Sequence, residues 1–155
     1  MGTLTRYLAE SHCYHAITRT REGMPVFKDT ADATIVVDAL QFLRYERAYL
    51  LGYVVMPDHL HVIVVPRGDA TISKLMHSIK GYSARIINAR RGGSGPVWQR
   101  SFYDRAIRHE SQLFETLEYI HSNPVVGGLA QAAEEYRLSS AHASAKTDLA
   151  EFLSG

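Results

Sequence analysis

Ala48-Tyr-Leu-Leu-Gly-Tyr-Val-Val-Met-Pro-Asp-His-Leu-His-Val-Ile-Val-Val65 decides the architecture of this chain. Two apolar runs flank Pro57-Asp58, so Ala48–Met56 and His59–Val65 read as strands joined in a hairpin. Side chains on a strand alternate between faces. Leu60, Val62 and Val64 therefore share one side, and His59, His61, Ile63 and Val65 share the other. Two imidazoles on one face of an apolar strand are placed to hold neutral nitrogens at one metal ion. A lone His-x-His is also common in ordinary strands, so the pair needs a third ligand and a reactive group from elsewhere in the chain.

Outward from the hairpin, strands and helices alternate. Cys13–Thr20 reads as a first strand, and Asp29 to Arg47 as a helix capped by Asp29 or Thr30, with Ala33, Val36, Val37, Leu40 and Leu43 at helical spacing. Thr71 caps a second helix running to about Ala89. Its buried stripe is Ile72, Leu75, Met76, Ile79 and Ile86, opposite a polar line through Lys74, Ser78, Gly81, Arg85 and Asn88. Arg91 to Pro96 is a glycine-rich break. Val97–Gln99 and Phe102–Ile107 read as short strands, and Ser111–Ser122 as a third helix that stops before Asn123-Pro124. A further short helix is expected over Leu129–Tyr136. The order β-α-β-β-α-β-(β)-α fits a mainly antiparallel α+β fold rather than a parallel doubly wound sheet.

A chain of 155 residues suits one domain. We place it at residues 11–140, with residues 141–155 as a weakly specified, mobile tail. No apolar run is long enough to span a bilayer, and Met1 to Glu10 lacks the apolar core of a signal peptide. The single cysteine, Cys13, excludes an intramolecular disulfide, so the expected location is cytoplasmic. The formal charge of +1 conceals a basic middle: residues 67–108 carry 9 Lys/Arg against 2 Asp/Glu, while residues 109–155 carry 2 against 7. Such a stretch is either a solvated helix face or a local surface for a polyanion.

The missing partners of the histidines lie near Tyr119. Tyr119 and Asn123 are four residues apart and share one side of the third helix. At roughly 100° per residue, Leu113, Phe114, Leu117 and Ile120 cluster on one face, with Tyr119 roughly 160° away beside Gln112, Thr116 and Asn123. His121 falls in the apolar stripe and reads as a satisfied core or interface histidine. A tyrosine nucleophile must lose a proton held with a pKa of about 10. A nearby cation would stabilise the phenolate and polarise a phosphodiester oxygen. An Asn123 carbonyl oxygen beside two imidazoles suits Mg²⁺ or Mn²⁺, with Mn²⁺ the more natural partner for imidazole.

These residues resemble a known group. His59-Leu60-His61 looks like the His-hydrophobe-His motif of single-tyrosine HUH transposases. Together, Gly52 to His61, Lys80 to Arg85, Trp98 to Arg105 and Tyr119-Ile-His-Ser-Asn-Pro-Val125 resemble the REP-associated tyrosine transposases, over about residues 11–140. The resemblance implies a ferredoxin-like antiparallel sheet flanked by helices. Tyr119 would attack single-stranded DNA, leaving a 5′-phosphotyrosine and a free 3′-hydroxyl. His59, His61 and Asn123 would be the metal ligands, and the substrate a short palindromic hairpin with a guide tetranucleotide nearby. The group includes monomers and homodimers. Two departures stand out: Val126 follows Asn-Pro-Val where a basic residue is often seen, and only Tyr136-Arg-Leu precedes Ser139-Ser140.

The basic middle then reads as a DNA surface. Lys74, Lys80, Arg85, Arg90 and Arg91 lie on or beyond the second helix, and Arg100, Arg105 and Arg108 flank Trp98, Phe102 and Tyr103. Lys74, Lys80, Arg85, Arg100 and Arg105 are the expected DNA contacts, with Arg100 and Arg105 nearest the site. Trp98 and Phe102 are more often core residues. The main expectation is a metal-dependent enzyme that nicks and joins single-stranded DNA. Its alternatives are a catalytically inactive hairpin-binding protein of the same fold, and a small metallohydrolase whose turnover survives Tyr119→Phe.

Overall fold

The structure, a computed structural model, describes residues 3–10 and 12–154. Ser11, the expected start of the domain, and the terminal Gly155 lie outside the described residues. Strands β1 (Cys13–Arg19), β2 (Ala48–Met56), β3 (His59–Pro66) and β4 (Tyr103–Ile107) form one antiparallel sheet in the order β2-β3-β1-β4. Helix α2 (Thr30–Glu46) carries the chain from β1 to β2, and α3 (Ile72–Arg91) carries it from β3 to β4. This is the ferredoxin-like βαββαβ arrangement. The fold is α+β, as the order of elements predicts.

The period-2 reading of the central strands holds on both faces. Ala16, Tyr53, Val55, Leu60, Val62 and Val64 pack under α2 and α3. Leu51, Val54, Met56, Ile63, Val65 and Ile107 pack on the other side against α4 (Glu110–Val126), with α1 (Thr3–Ala9) and α5 (Leu149–Ser154) alongside. Caps set the helix starts. Asp29 accepts from the Ala31 N–H at 3.0 Å, and Thr71 Oγ1 from the Lys74 N–H at 3.2 Å. No helix among the described residues is long and apolar enough to cross a membrane.

Four local expectations are corrected. Helix α4 does not stop at Ser122 but continues through Asn123 and a buried Pro124 to Val126. Proline sits here in the last turn, and the Asn123 and Pro124 carbonyls still accept from the Gly127 and Leu129 N–H groups, at 2.9 and 2.8 Å. In α3, Ser83 and Ile87 take the buried positions in place of Ile86, because the buried Trp98 indole donates to Ser83 Oγ at 2.9 Å. Trp98 makes only an isolated bridge to Thr20, so Val97–Gln99 is no strand. Between Leu129 and Tyr136 only Ala133–Glu135 forms a single 3₁₀ turn.

The segment beyond residue 140, expected to be weakly specified, is held by definite contacts. Asp148 accepts from Arg44 Nε and from the Leu50 N–H, both at 2.9 Å, and Phe152 is buried against Tyr7 and Tyr49. Just before it, Leu138 and Ser140 exchange backbone hydrogen bonds with Val55 and Tyr53. The outer edge of β2 is thereby covered.

One glycine fixes how closely α4 approaches the sheet. The register of β2 on β3 shifts between Leu50 and Gly52, leaving Leu51 as the extra residue of a bulge. A Cβ on Gly52 would stand 2.6 Å from Leu117 Cδ2 and 3.5 Å from Ile120 Cδ1. Bare backbone there lets α4 lie flat, bringing its Tyr119–Asn123 turn down beside β3.

Candidate active site

The two histidines come from β3 and their partners from α4. His59 Nε2 lies 3.3 Å from Asn123 Oδ1. The Tyr119 ring stands edge-on to His61, with centroids 5.7 Å apart and planes at 80°. Continuation of the helix through Asn123 holds Tyr119 and Asn123 on one face, one turn apart. The buried face of α4 differs from its expected composition: Phe114 is 46% exposed and Thr116 is 2% exposed. That exchange turns the buried stripe toward Tyr119, which therefore flanks the sheet contact instead of opposing it. Its ring reaches His61 while the residue stays 56% exposed, so its hydroxyl is open to a substrate.

Each histidine has one nitrogen already occupied. His59 Nδ1 lies 2.7 Å from Asp58 Oδ1, which fixes the proton on Nδ1 and leaves Nε2 bare toward Asn123. His61 Nδ1 lies 3.0 Å from Nε2 of His15, a residue of β1 that is only 5% exposed. Burial, reinforced by Arg105, pushes His15 down to about 4. Burial, reinforced by His59, His15 and Arg19, pushes His61 down to about 3. Both rings are therefore neutral near pH 7, the form that can bind a metal. His15 is the functional candidate that sequence reasoning missed. His121 is satisfied as expected, with Nε2 2.6 Å from Ser140 Oγ.

The donor set fits a hard divalent cation. Adjacent ligands of an octahedral ion with bonds of about 2.1 Å stand about 3 Å apart, close to the His59–Asn123 separation. Among the described residues, no three His, Cys, Asp or Glu side chains converge to form a metal cluster. A third protein ligand beside the two imidazoles would come from an amide oxygen, and Asn123 Oδ1 is the one at hand. His59, His61 and Asn123 are the residues that would hold the ion.

The five expected DNA contacts are dispersed. Arg105 lies on the same sheet face as the histidines, paired in register with His15, and donates to Thr116 Oγ1 at 3.1 Å. Arg100 is exposed on the adjoining loop. Lys80 is engaged within the fold, where its ammonium donates to the Gln99, Arg100 and Ser101 carbonyls at 2.6, 3.2 and 3.2 Å. Lys74 and Arg85 sit on α3, across the sheet from the histidines. Arg90 and Arg91 pair with Asp29 and Asp32 at the start of α2. Much of the basic middle thus serves the fold.

Comparison with known proteins shows which chains this one is similar to. The chain is 29% identical over 92 residues to a REP-associated tyrosine transposase of Escherichia coli, covering 59% of this chain and 53% of that one. A Haemophilus influenzae protein provisionally named for the same group is 26% identical over 105 residues, covering 61% and 60%. The chain thus spans little more than half the length of these relatives. A solved REP-associated tyrosine transposase, bound in its structure to a REP hairpin, superposes with a TM-score of 0.69 over 84% of this chain and 76% of its own. At 22% identity, that likeness speaks for the fold alone. A family model described as "Transposase IS200 like" matches residues 9–123. With three-quarters of its length matched by that model, the chain belongs to the IS200-like transposase family.

Proposed function

We propose that this chain cuts and rejoins single-stranded DNA at a palindromic hairpin, with Tyr119 as nucleophile. The observation that carries the reading is the meeting of an exposed Tyr119 with His61, His59 and Asn123 where side chains of α4 reach those of β3. The Tyr119 hydroxyl attacks the phosphorus of a phosphodiester, forming a 5′-phosphotyrosine and releasing a 3′-hydroxyl. The phosphotyrosine preserves the bond energy of the phosphodiester, so attack by a 3′-hydroxyl reverses the step and joins strands. Mg²⁺ or Mn²⁺ at His59, His61 and Asn123 would supply the charge that polarises a phosphate oxygen and stabilises the phenolate. Asp58 and His15 hold the two imidazoles with Nε2 bare. The hairpin in the solved relative supports hairpin DNA as the substrate class.

The test uses end-labelled hairpins taken from palindromes near the gene. Cleavage should appear with Mg²⁺ or Mn²⁺ and vanish with a chelator. Cleavage that persists in the chelator would remove the metal from the account, and hairpin binding without any cleavage would leave only a binding protein.

A further inference from the structure

The sheet face that carries the histidines is only half covered. Its residues form rows across the strands. One row runs Val54, His61, Ile17, Tyr103 and the next Met56, His59, Arg19. Helix α4 covers the part of these rows on β2 and β3. On β1 and β4 the face stays open: Tyr103 is 68% exposed, Arg19 is exposed and Ile17 is half-buried. The open part forms a groove of about 490 Å³, floored by Ile17, Arg19 and Tyr103 and walled by Gln99, Ser101 and Phe102. Lys80 fixes that wall through its three carbonyl contacts.

We propose that this groove is the subsite for unpaired DNA next to the phosphate cleaved at Tyr119, with Tyr103 stacking on a base and Arg19 binding a backbone phosphate. Tyr103 lies two strand spacings from His61 in the same row, about 10 Å, within reach of a nucleotide adjoining the reacting phosphate. The charge of the groove matches a nucleic acid. Arg19 is the charged residue of its lining, and among the described residues it makes no ion pair. The neighbouring carboxylate, Asp104, is in register with Ala16 and faces the other side. An exposed aromatic face favours a single strand, because a duplex hides its base faces in its own stack. The subsite rests on the proposed role of Tyr119, but its binding is measured separately.

The experiment uses the full chain carrying Tyr119→Phe, so that binding is read without strand cleavage. The probe is a fluorescein-labelled mixed-sequence single strand of about 12 nucleotides, alone or annealed to its complement, followed by anisotropy. Tyr103→Ala should weaken single-strand binding about tenfold and leave duplex binding unchanged, while Tyr103→Phe and Tyr103→Trp retain affinity. Arg19→Ala should lower the salt slope by about 1. Iododeoxyuridine in the strand should photocrosslink to the peptide containing Tyr103. Both side chains are exposed, so thermal unfolding should match the parent. Unchanged single-strand binding in Tyr103→Ala and Arg19→Ala, or equal losses on single strand and duplex, would overturn the subsite. Should that occur while the native chain still forms a Tyr119 adduct, the nucleophile reading stands alone. The expected binding losses without any adduct would leave a single-strand groove at Tyr103 and Arg19 but overturn its place beside a phosphate cleaved at Tyr119.

Discussion

His15 and His61 lie 46 residues apart in the chain, yet their rings lie edge to edge with planes 16° apart and centroids 5.2 Å apart, and share a 3.0 Å hydrogen bond. His15 is thereby the positioning partner of a proposed metal ligand. His15→Phe keeps the ring but removes the acceptor that holds the His61 proton on Nδ1. Mn²⁺ affinity, read by titration calorimetry, should fall roughly 10- to 100-fold. His15→Gln should recover part of it through its amide oxygen, and imidazole ¹⁵N spectra should report the His61 tautomer changing in His15→Phe alone. Equal affinity in all three proteins would dismiss His15 from the site.

The same pair makes stability depend on pH. An unburied histidine titrates near 6.5, whereas burial lowers His15 to about 4 and His61 to about 3. Between these values the unfolded chain binds more protons than the folded one, so stability rises with pH. The contribution is fully present above about pH 6.5, and it is lost as pH falls toward 4 and then 3. Urea midpoints of metal-free protein should drop over that interval, and His15→Phe should drop less. A flat profile from pH 7 to pH 4 would mean that the imidazoles are hydrated.

Gly52→Ala places a methyl group against Leu117, two residues before Tyr119. We expect a loss of about 1–3 kcal/mol in unfolding free energy, with DNA cleavage impaired beyond what the unfolded fraction explains, because α4 must lift or slide. Native stability combined with native cleavage would show that Leu117 turns aside without moving the helix.

Asp148 tests whether the tail belongs to the fold. Its carboxylate serves both Arg44 and the Leu50 N–H, with side-chain exposures of 9% for Asp148 and 19% for Arg44. Asp148→Ala should cost about 3 kcal/mol and increase protease cleavage after residue 140. Equal denaturation midpoints would place the tail outside the cooperative unit.

The hairpin, its two faces and both capped crossover helices are legible in the sequence because each is local: a period of two, a turn dipeptide, a cap one residue before an apolar stripe. Histidines on one face with Tyr119 and Asn123 one helical turn apart are legible for the same reason. Pro124 is not, because a proline near a helix end does not announce whether buried packing will hold the last turn around it. His15 gives no sign of its role, since a single histidine in a strand does not disclose a partner on another strand. Lys80 looks like the other cations of the basic middle until the loop carbonyls it holds are in view. Asp148 is equally silent, its partners lying 98 and 104 residues away.

The most direct test of the account is covalent capture by Tyr119. Hairpin DNA carrying a 5′ overhang and a label on the 5′-phosphate side of the cut should yield, with Mn²⁺, a protein–DNA adduct that survives denaturing electrophoresis. Peptide mapping should place the DNA on Tyr119, and Tyr119→Phe should bind the hairpin but form no adduct. An adduct of equal yield in Tyr119→Phe, or cleavage by the native chain with no covalent species at any time, would contradict the account.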